Sequence, residues 1–366
     1  MPAAASFPLA PPPTALPHLL IPFAVCSADA WLPTMKTLPK DSTRHLSQLL
    51  QGMRLLHTES SGDAHTLSPP HERALARAQG LITEDHPDGL IPWAAQEAAE
   101  QLQATGSQAW AWVTPCHWAM GREHATLTDP AALALREDES RALLAAMQPY
   151  FETDGITLHY LRPERWLAEG EPFRQLPTAA LDRVLGRNVD AWLPGAKGVV
   201  AEEFAAGPPQ DKLAPSGGSA LHEVTSVGAK TLRRLQNEMQ MLLYTHPLND
   251  ERAARRQLPV NSFWLSGTGA LPASHTGAVP NNISMPRSLA QAVFNDDWAA
   301  YAQAWAALDA GELAQLLARQ RAGETVRLTL CGERGAQTLE SSRTGLFAKI
   351  SSLLSPKPVW HGREQL

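Results

Sequence analysis

Short apolar runs alternate with segments of helical periodicity along most of this chain, and that alternation limits the folds it can adopt. Residues 18–24, His-Leu-Leu-Ile-Pro-Phe-Ala, form a continuous apolar run of the kind found in a buried strand. Residues 232–243 instead place leucine or methionine every three or four positions, which is typical of an amphipathic helix packed on a core. This mixture predicts the α/β class, with a sheet flanked by helices.

Other segments extend the pattern to the rest of the chain. Helices are predicted over 46–56, 137–147 and 286–321, the last with a break near 309–311, and a further helical turn is predicted at 163–168. Strands are predicted within 110–118, at 156–161 and at 261–265, with a terminal hairpin that pairs 325–330 with 338–340. Trp298, Tyr301 and Trp305 recur at helical spacing, which indicates packing in a core.

Changes in amino-acid composition along the chain indicate where its tails, insertion and domains begin and end. Residues 1–17 are rich in alanine and proline, so we expect a disordered tail there. From 195 to about 228 the chain is rich in glycine, proline, alanine and serine, which predicts a mobile insertion. We therefore expect an α/β domain over 18–272, a helical segment with the terminal hairpin over 273–345, and a C-terminal tail over 346–366.

Charge and cysteine content narrow the functional classes. The net charge of −6 argues against binding to nucleic acid or to an anionic membrane, since both need a basic surface. No run approaches the ~18 apolar residues of a membrane span. The chain has 3 cysteines, far apart, and its N-terminal region lacks the basic start and the uninterrupted apolar run of a signal peptide. We expect a cytoplasmic protein without nucleic-acid or membrane partners; the sequence does not identify a protein partner.

Polar residues gather at both ends of the strand predicted at 261–265. Asn249 and Arg252 are three residues apart and thus share one helix face, and the Arg252 guanidinium suits a phosphate or a carboxylate. Glycines in the segment 266–269, Ser-Gly-Thr-Gly, would let backbone N–H groups approach an anion. Ligands of open α/β sheets lie beyond the carboxyl ends of strands, so we expect a small phosphorylated or carboxylate ligand here. Helix capping and a surface arginine are the alternative explanation. The predicted binding residues are Asn249, Arg252, Asn261, Ser266, Gly267 and Gly269.

His117, His124 and Asp129 are the candidate metal ligands. A loop would bring them together, although their spacing differs from the tight His-x-x-x-His or Cys-x-x-Cys patterns of zinc sites. A loop histidine bonded to backbone is the alternative, so the sequence predicts either a divalent metal or no cofactor. Cys116 precedes His117 directly, and on an extended backbone the two side chains point to opposite faces and cannot act as a nucleophile–base pair.

The run from position 246 resembles the archaeal-type cofactor-independent phosphoglycerate mutases of the alkaline-phosphatase superfamily. Over residues 18–272 the chain is more similar to a bacterial family of largely uncharacterised proteins, sometimes labelled phosphoglycerate-mutase-like or pathogenicity-factor regulators. The second resemblance is carried by residues 18–24, 114–118, 232–242 and 261–264. The first is carried by His246, Pro247, Asn249, Arg252, Asn261, Gly267 and Gly269.

This resemblance implies an alkaline-phosphatase-like fold and, in active members, two divalent metals. The first strand of active members ends in Pro-Asp-Gly with Asp as a ligand, whereas this chain has Pro22, Phe23 and Ala24. A phenyl ring cannot bind a hard cation, and the late Asp-His pair is missing after Pro272.

We therefore expect a phosphoglycerate-mutase-like protein that has lost catalysis and acts as a regulatory or anion-binding protein. One alternative is an active metal-dependent phosphomutase or phosphatase that uses His117, His124 and Asp129 as ligands. The other is a structural or interaction protein with residues 286–321 as its contact face. Fold alone does not decide between them.

Overall fold

The computed structural model describes residues 16–60, 65–195, 217–273 and 282–341, without the side chains of Lys40 and residues 217–226. The predicted tail before residue 16, the C-terminal tail over 346–366 and residues 196–216 of the predicted insertion lie outside the described residues. The strands in chain order are β1 (His18–Ile21), β2 (Met53–Ser60), β3 (Ala109–Cys116), β4 (Trp118–Met120), β5 (Ala125–Leu127), β6 (Thr157–Arg162), β7 (Arg165–Glu169), β8 (Ser262–Ala270), β9 (Ile283–Ser284), β10 (Arg327–Cys331) and β11 (Gly335–Ser341). The α-helices are α1 (Trp31–Thr37), α2 (Arg44–Gln51), α3 (Pro70–Ala78), α4 (Trp93–Leu102), α5 (Glu137–Glu152), α6 (Leu181–Val184), α7 (Gly217–Tyr244), α8 (Pro247–Ala254), α9 (Ser288–Phe294), α10 (Trp298–Leu308) and α11 (Ala314–Arg321).

The chain divides into two compact units. The first contains Met1–Ser60 together with Val279–Leu366, and the second contains Ser61–Ala278. The predicted ranges 18–272 and 273–345 instead placed β1 with the middle of the chain. Backbone pairing explains the difference, because β1 lies parallel to both β10 and β9 and thereby joins the two ends of the sequence. Helices and sheets occur in each unit, so the predicted α/β class is confirmed.

In the described part of the first unit, the sheet has the order β2-β11-β10-β1-β9. β10 pairs antiparallel with β11, which confirms the predicted terminal hairpin. Leucine and isoleucine side chains of β1 and β10 pack with the helices in one core. Tyr301 and Trp305 are fully buried in that core, so the packing role predicted for them is also confirmed. They are not available to a contact face over 286–321.

In this unit, one predicted helix is shorter than expected, and the break in another is a π-helical turn. The helix predicted over 46–56 ends at Gln51, and the residues after Gly52 form β2, which pairs antiparallel with β11. A π-helical turn, Asp309–Leu313, lies at the predicted break between α10 and α11. Its Asp309 carboxylate accepts hydrogen bonds from the backbone N–H groups of His45 (3.0 Å) and Leu46 (2.9 Å). These bonds satisfy the N-terminus of α2 across the fold.

In the described part of the second unit, the main sheet has the order β6-β7-β3-β8 with antiparallel pairing throughout. One face packs on α5 and α7, and the other face packs on α4 and on the segment around α6. The helical turn predicted at 163–168 is instead β7, since pairing on both sides buries Trp166, Leu167 and Ala168. Tertiary pairing here overrides a local signal.

Helix α7 also changes the predicted boundaries. It begins at Gly217, so the last twelve positions of the predicted insertion, 217–228, belong to its first turns. Its apolar stripe, including Leu232, Leu235 and Met239, is buried against the sheet as predicted. Among the described helices, none has the length and hydropathy needed to cross a membrane.

Candidate functional site

Helix α8 begins the segment in which the ligand site was predicted. His246 is its N-cap, with Nδ1 accepting a hydrogen bond from the Leu248 N–H (3.2 Å), and Pro247 occupies the first helical position. Asn249 and Arg252 share one face of this helix, as expected. That face is buried, because Asn249 is 8% exposed and Arg252 is 0% exposed.

The Arg252 guanidinium bonds to protein through each of its nitrogen atoms. Nη1 donates to Glu139 Oε2 (2.7 Å), Nη2 to the Leu133 carbonyl (2.5 Å) and Nε to the Leu258 carbonyl (2.9 Å). Glu139 is itself 1% exposed and also accepts from Arg255 Nη2 (2.5 Å). The arginine therefore joins α8 to α5, to the segment before α5 and to the segment after α8. Its guanidinium is not available to bind an anion.

The two predicted asparagines also bond to backbone. Asn249 donates from Nδ2 to the carbonyls of Leu243 and Val260 (both 2.8 Å) and accepts from the Val260 N–H (2.9 Å). Asn261 accepts from the Trp118 N–H (2.7 Å) and donates to the Trp118 carbonyl (3.0 Å). Each carboxamide thus supplies hydrogen-bond partners to backbone groups that lie outside the regular pairing of the strands.

Residues 266–269 continue β8, which corrects the prediction of a glycine-rich loop after a shorter strand. Trp110 pairs with Gly269 and Trp112 with Ser266, so two residues of β8 oppose one residue of β3 in a β-bulge. Gly267 has a φ of +65°, and a Cβ there would lie 2.9 Å from the Trp112 ring. Glycine is needed for the bulge and the close tryptophan contact.

The position of this segment in the sheet removes the argument that placed a ligand there. β8 has an antiparallel partner in β3, whereas the rule for ligands at carboxyl ends applies to parallel strands. Ser266 is 4% exposed and Thr268 is fully buried, with its hydroxyl donating to the Leu176 carbonyl (2.6 Å). Of the side chains predicted to bind a ligand, those of Asn249, Arg252 and Asn261 bond within the fold.

His117, His124 and Asp129 do not form a cluster. His117 Nδ1 bonds to the Pro259 carbonyl (2.9 Å), which is the backbone-bonded alternative. His124 is exposed in the turn between β4 and β5, and Asp129 accepts from the Ala131 N–H (2.9 Å) at the start of a 3-10 helix. Across the described residues, no group of three or more His, Cys, Asp or Glu side chains is arranged to hold a metal ion.

Phe23 lies just beyond the carboxyl end of β1, in the first unit, whereas Asn261 belongs to the second. Its φ is +53°, and the residue is 5% exposed. Its carbonyl accepts a hydrogen bond from the Tyr301 hydroxyl (2.8 Å), and its ring meets Phe294 edge-on with 5.1 Å between centroids. An aromatic cluster therefore fills the position after the first strand.

The surroundings of Phe23 disfavour charge. Burial raises the pKa of the nearby Cys26 thiol to about 12, with a further increase from the negative charge of Glu333 and a partial offset from a hydrogen bond with Tyr301. Burial likewise raises the pKa of Tyr301 well above its usual value. A site that disfavours a thiolate and a phenolate this strongly also disfavours an isolated carboxylate.

The second unit contains a buried acid–imidazole pair that no pattern in the sequence indicated. His71 Nε2 lies 2.8 Å from Asp182 Oδ2, and the two side chains are 1% and 8% exposed. A carboxylate that orients an imidazole can serve general acid–base chemistry or simply hold a core together. The two residues are 111 positions apart, so nothing in their spacing signalled the contact.

Comparisons with known proteins identify distant structural likenesses. No protein-family model and no curated protein matches the sequence. The chain is similar to the solved structure of a cofactor-independent phosphoglycerate mutase from Thermoplasma acidophilum DSM 1728, with 12% identity and a TM-score of 0.34 over 92% of this chain and 94% of that chain. It is also similar to the PH0037 protein from Pyrococcus horikoshii, with 12% identity and a TM-score of 0.41 over 92% of each chain. Similarity at this level carries no argument about the site.

Proposed function

We propose that this protein is a phosphoglycerate-mutase-like binding protein without phosphoryl-transfer activity, and that it acts as a regulatory or anion-binding protein. The observation that supports the absence of phosphoryl transfer is the aromatic cluster around Phe23, whereas the binding or regulatory role rests on the resemblance alone. In the active mutases that the chain resembles, the corresponding position after the first strand holds a metal-binding aspartate. Here a buried phenyl ring packs on Phe294, and the backbone carbonyl bonds to Tyr301.

The loss of one ligand has a large effect on such chemistry. Two metal ions clamp the attacking and leaving oxygens of a transferring phosphoryl group, and that clamp supplies most of the catalytic advantage. A phenyl ring offers no lone pair to a hard cation. The apolar surroundings of Cys26 and Tyr301 also disfavour bringing a charged ligand to this position.

Metal analysis and turnover assays test the catalytic part of the proposal. The full-length protein is purified, loaded with Mn²⁺, Mg²⁺ or Zn²⁺ and assayed with 2- and 3-phosphoglycerate and with a chromogenic phosphate ester. We expect no stoichiometric metal and no turnover above the rate without enzyme. Metal-dependent turnover that a chelator abolishes would contradict the proposal and favour an active phosphomutase or phosphatase.

Thermal denaturation with 3-phosphoglycerate tests anion binding. A ligand at 100 times its dissociation constant stabilises the folded state by about 2.7 kcal/mol, which is a measurable shift in the midpoint. Sulfate at equal ionic strength and unphosphorylated glycerate are the controls. Equal shifts with sulfate and 3-phosphoglycerate, or no shift with either, would count against a specific anion site.

A further inference from the structure

A cavity of about 400 Å³ opens on the polar side of α7 in the second unit. This volume lies within the range of small-molecule sites in proteins. Gln236, Asn237 and Gln240 of this helix all line the cavity. Asp190 and Leu193, in and after the 3-10 helix Val189–Trp192, form the other side.

The cavity has defined walls. Gln236 and Gln240 are four residues apart on α7 and thus lie one turn apart on the same face. Arg233, one turn earlier, also lines the cavity, and its Nε donates to the Pro194 carbonyl (3.2 Å). This bond ties α7 to the opposite wall. Trp118 in β4 supplies an aromatic surface.

Gln236 is the residue that indicates a ligand. It is 4% exposed and lines the cavity, yet its side chain makes no hydrogen bond to any residue in the described ranges. A carboxamide carries two donor hydrogens and an acceptor oxygen, and the amide atoms of Gln236 are not among the fully buried polar atoms that lack a partner. These atoms therefore face the cavity, and their hydrogen-bond partners are its contents, either water or a ligand.

The charges of the lining favour neither sign of ion. Arg233 and Asp190 carry opposite charges, so the lining as a whole is neutral. The Arg233 guanidinium also already donates one hydrogen bond to the Pro194 carbonyl. The other polar groups are carboxamides, each of which both donates and accepts hydrogen bonds.

We propose that the α7 cavity binds a small uncharged sugar, whose hydroxyl groups bond to the three carboxamides and whose C–H face contacts Trp118 and Leu193. A hydroxyl group donates one hydrogen bond and accepts others, which matches the mixed donor and acceptor character of carboxamides. An indole ring and a leucine side chain supply the apolar contact that fixes the orientation of a polar ligand.

Saturation-transfer NMR and titration calorimetry on the full-length protein test this proposal. The probes are unphosphorylated mono- and disaccharides, with inorganic phosphate and serine as anionic and zwitterionic comparisons. We expect saturable binding of at least one sugar, weakened about tenfold or more by Gln236→Leu because two or more hydrogen bonds are lost. Absence of saturable sugar binding would overturn the proposal, as would binding of phosphate or serine in the cavity in place of a sugar.

Two exposed positions on the same helix keep the test independent of folding. Asn237→Ala removes a carboxamide from the lining, whereas Lys230→Ala changes an exposed residue outside it. We expect weaker sugar binding for the first variant and unchanged binding for the second. Equal affinities of Asn237→Ala and the unmodified protein would refute the assignment. The phosphoglycerate experiments use another ligand class, so this proposal and the proposed function fail separately.

Discussion

Replacing Arg252 with methionine should lower the free energy of unfolding of the second unit. This effect is expected in the absence of any ligand. Arg252 is 0% exposed and pairs with Glu139, which is 1% exposed. Methionine keeps the length of the side chain but leaves the Glu139 carboxylate with the half-exposed Arg255, the exposed Arg136 guanidinium at 3.8 Å and one backbone N–H as partners. Two backbone carbonyls, of Leu133 and Leu258, also lose their donors.

The expected loss is about 3–5 kcal/mol, which is the usual effect of removing one partner from a buried ion pair. For a unit of this size, each kcal/mol corresponds to about 2–4 °C in the unfolding midpoint. We therefore expect the midpoint to decrease by about 6–20 °C. Guanidinium unfolding monitored by circular dichroism measures the change in free energy, and calorimetry measures the midpoint.

Arg256→Met is the matched control, since Arg256 is exposed four residues further on and its side chain makes no hydrogen bond within the described residues. A surface change of this kind should stay within about 0.5 kcal/mol. Adding Glu139→Leu to Arg252→Met should recover part of the loss, because the second change removes the uncompensated charge. If Arg252→Met is as stable as Arg256→Met but loses stabilisation by 3-phosphoglycerate, the structural role of Arg252 is refuted and the anion-binding role is supported.

Three further predictions concern pH, thiols and the bulge. Burial, with a smaller contribution from Arg327, lowers the pKa of His18 from 6.5 to about 4. Between these values the unfolded chain therefore binds more protons than the folded one. The free energy of unfolding should decrease by on the order of 3 kcal/mol as the pH falls from 6.5 to 4. If the difference in free energy of unfolding between the wild type and His18→Gln does not change over this range, the pKa shift is contradicted. Burial raises the pKa of all three cysteine thiols, so Ellman's reagent at pH 8 should label none in the folded protein and all three in denaturant, and rapid labelling of the folded protein would disprove their burial. Gly267→Ala should cost about 1–3 kcal/mol more than Gly186→Ala in denaturant unfolding, since both positions have a positive φ but only Gly267 faces the Trp112 ring; equal costs would show that the contact has no effect.

Local sequence patterns correctly predicted those helices and strands whose periodicity lies within one short segment. The stripe over residues 232–243 predicted the buried face of α7, and Trp298, Tyr301 and Trp305 predicted a packed helix. The terminal hairpin followed from two apolar runs around a turn. In each case the period of the side chains and the direction of burial lie within one short segment.

Patterns failed where distant contacts outweighed the local preference. Residues 53–56 continue a helical stripe, but β11 offers unpaired backbone groups and Gly52 interrupts the helix, so they form β2. The glycines at 267 and 269 have the composition of an anion-binding loop, but the tryptophans of β3 make them a bulge in an antiparallel sheet. A one-segment pattern does not contain the partner strand.

Contacts with distant segments also decided the roles of the polar residues. The amino-acid sequence alone determined the α/β class, the position of the main helices and the aromatic residue after the first strand. Only the tertiary structure decided that Arg252 bonds to Glu139 and that Gln236 lines a cavity. The capacity to form hydrogen bonds is a property of the residue. The partner is brought in by the fold, in the case of Arg252 and Glu139 from more than a hundred positions away.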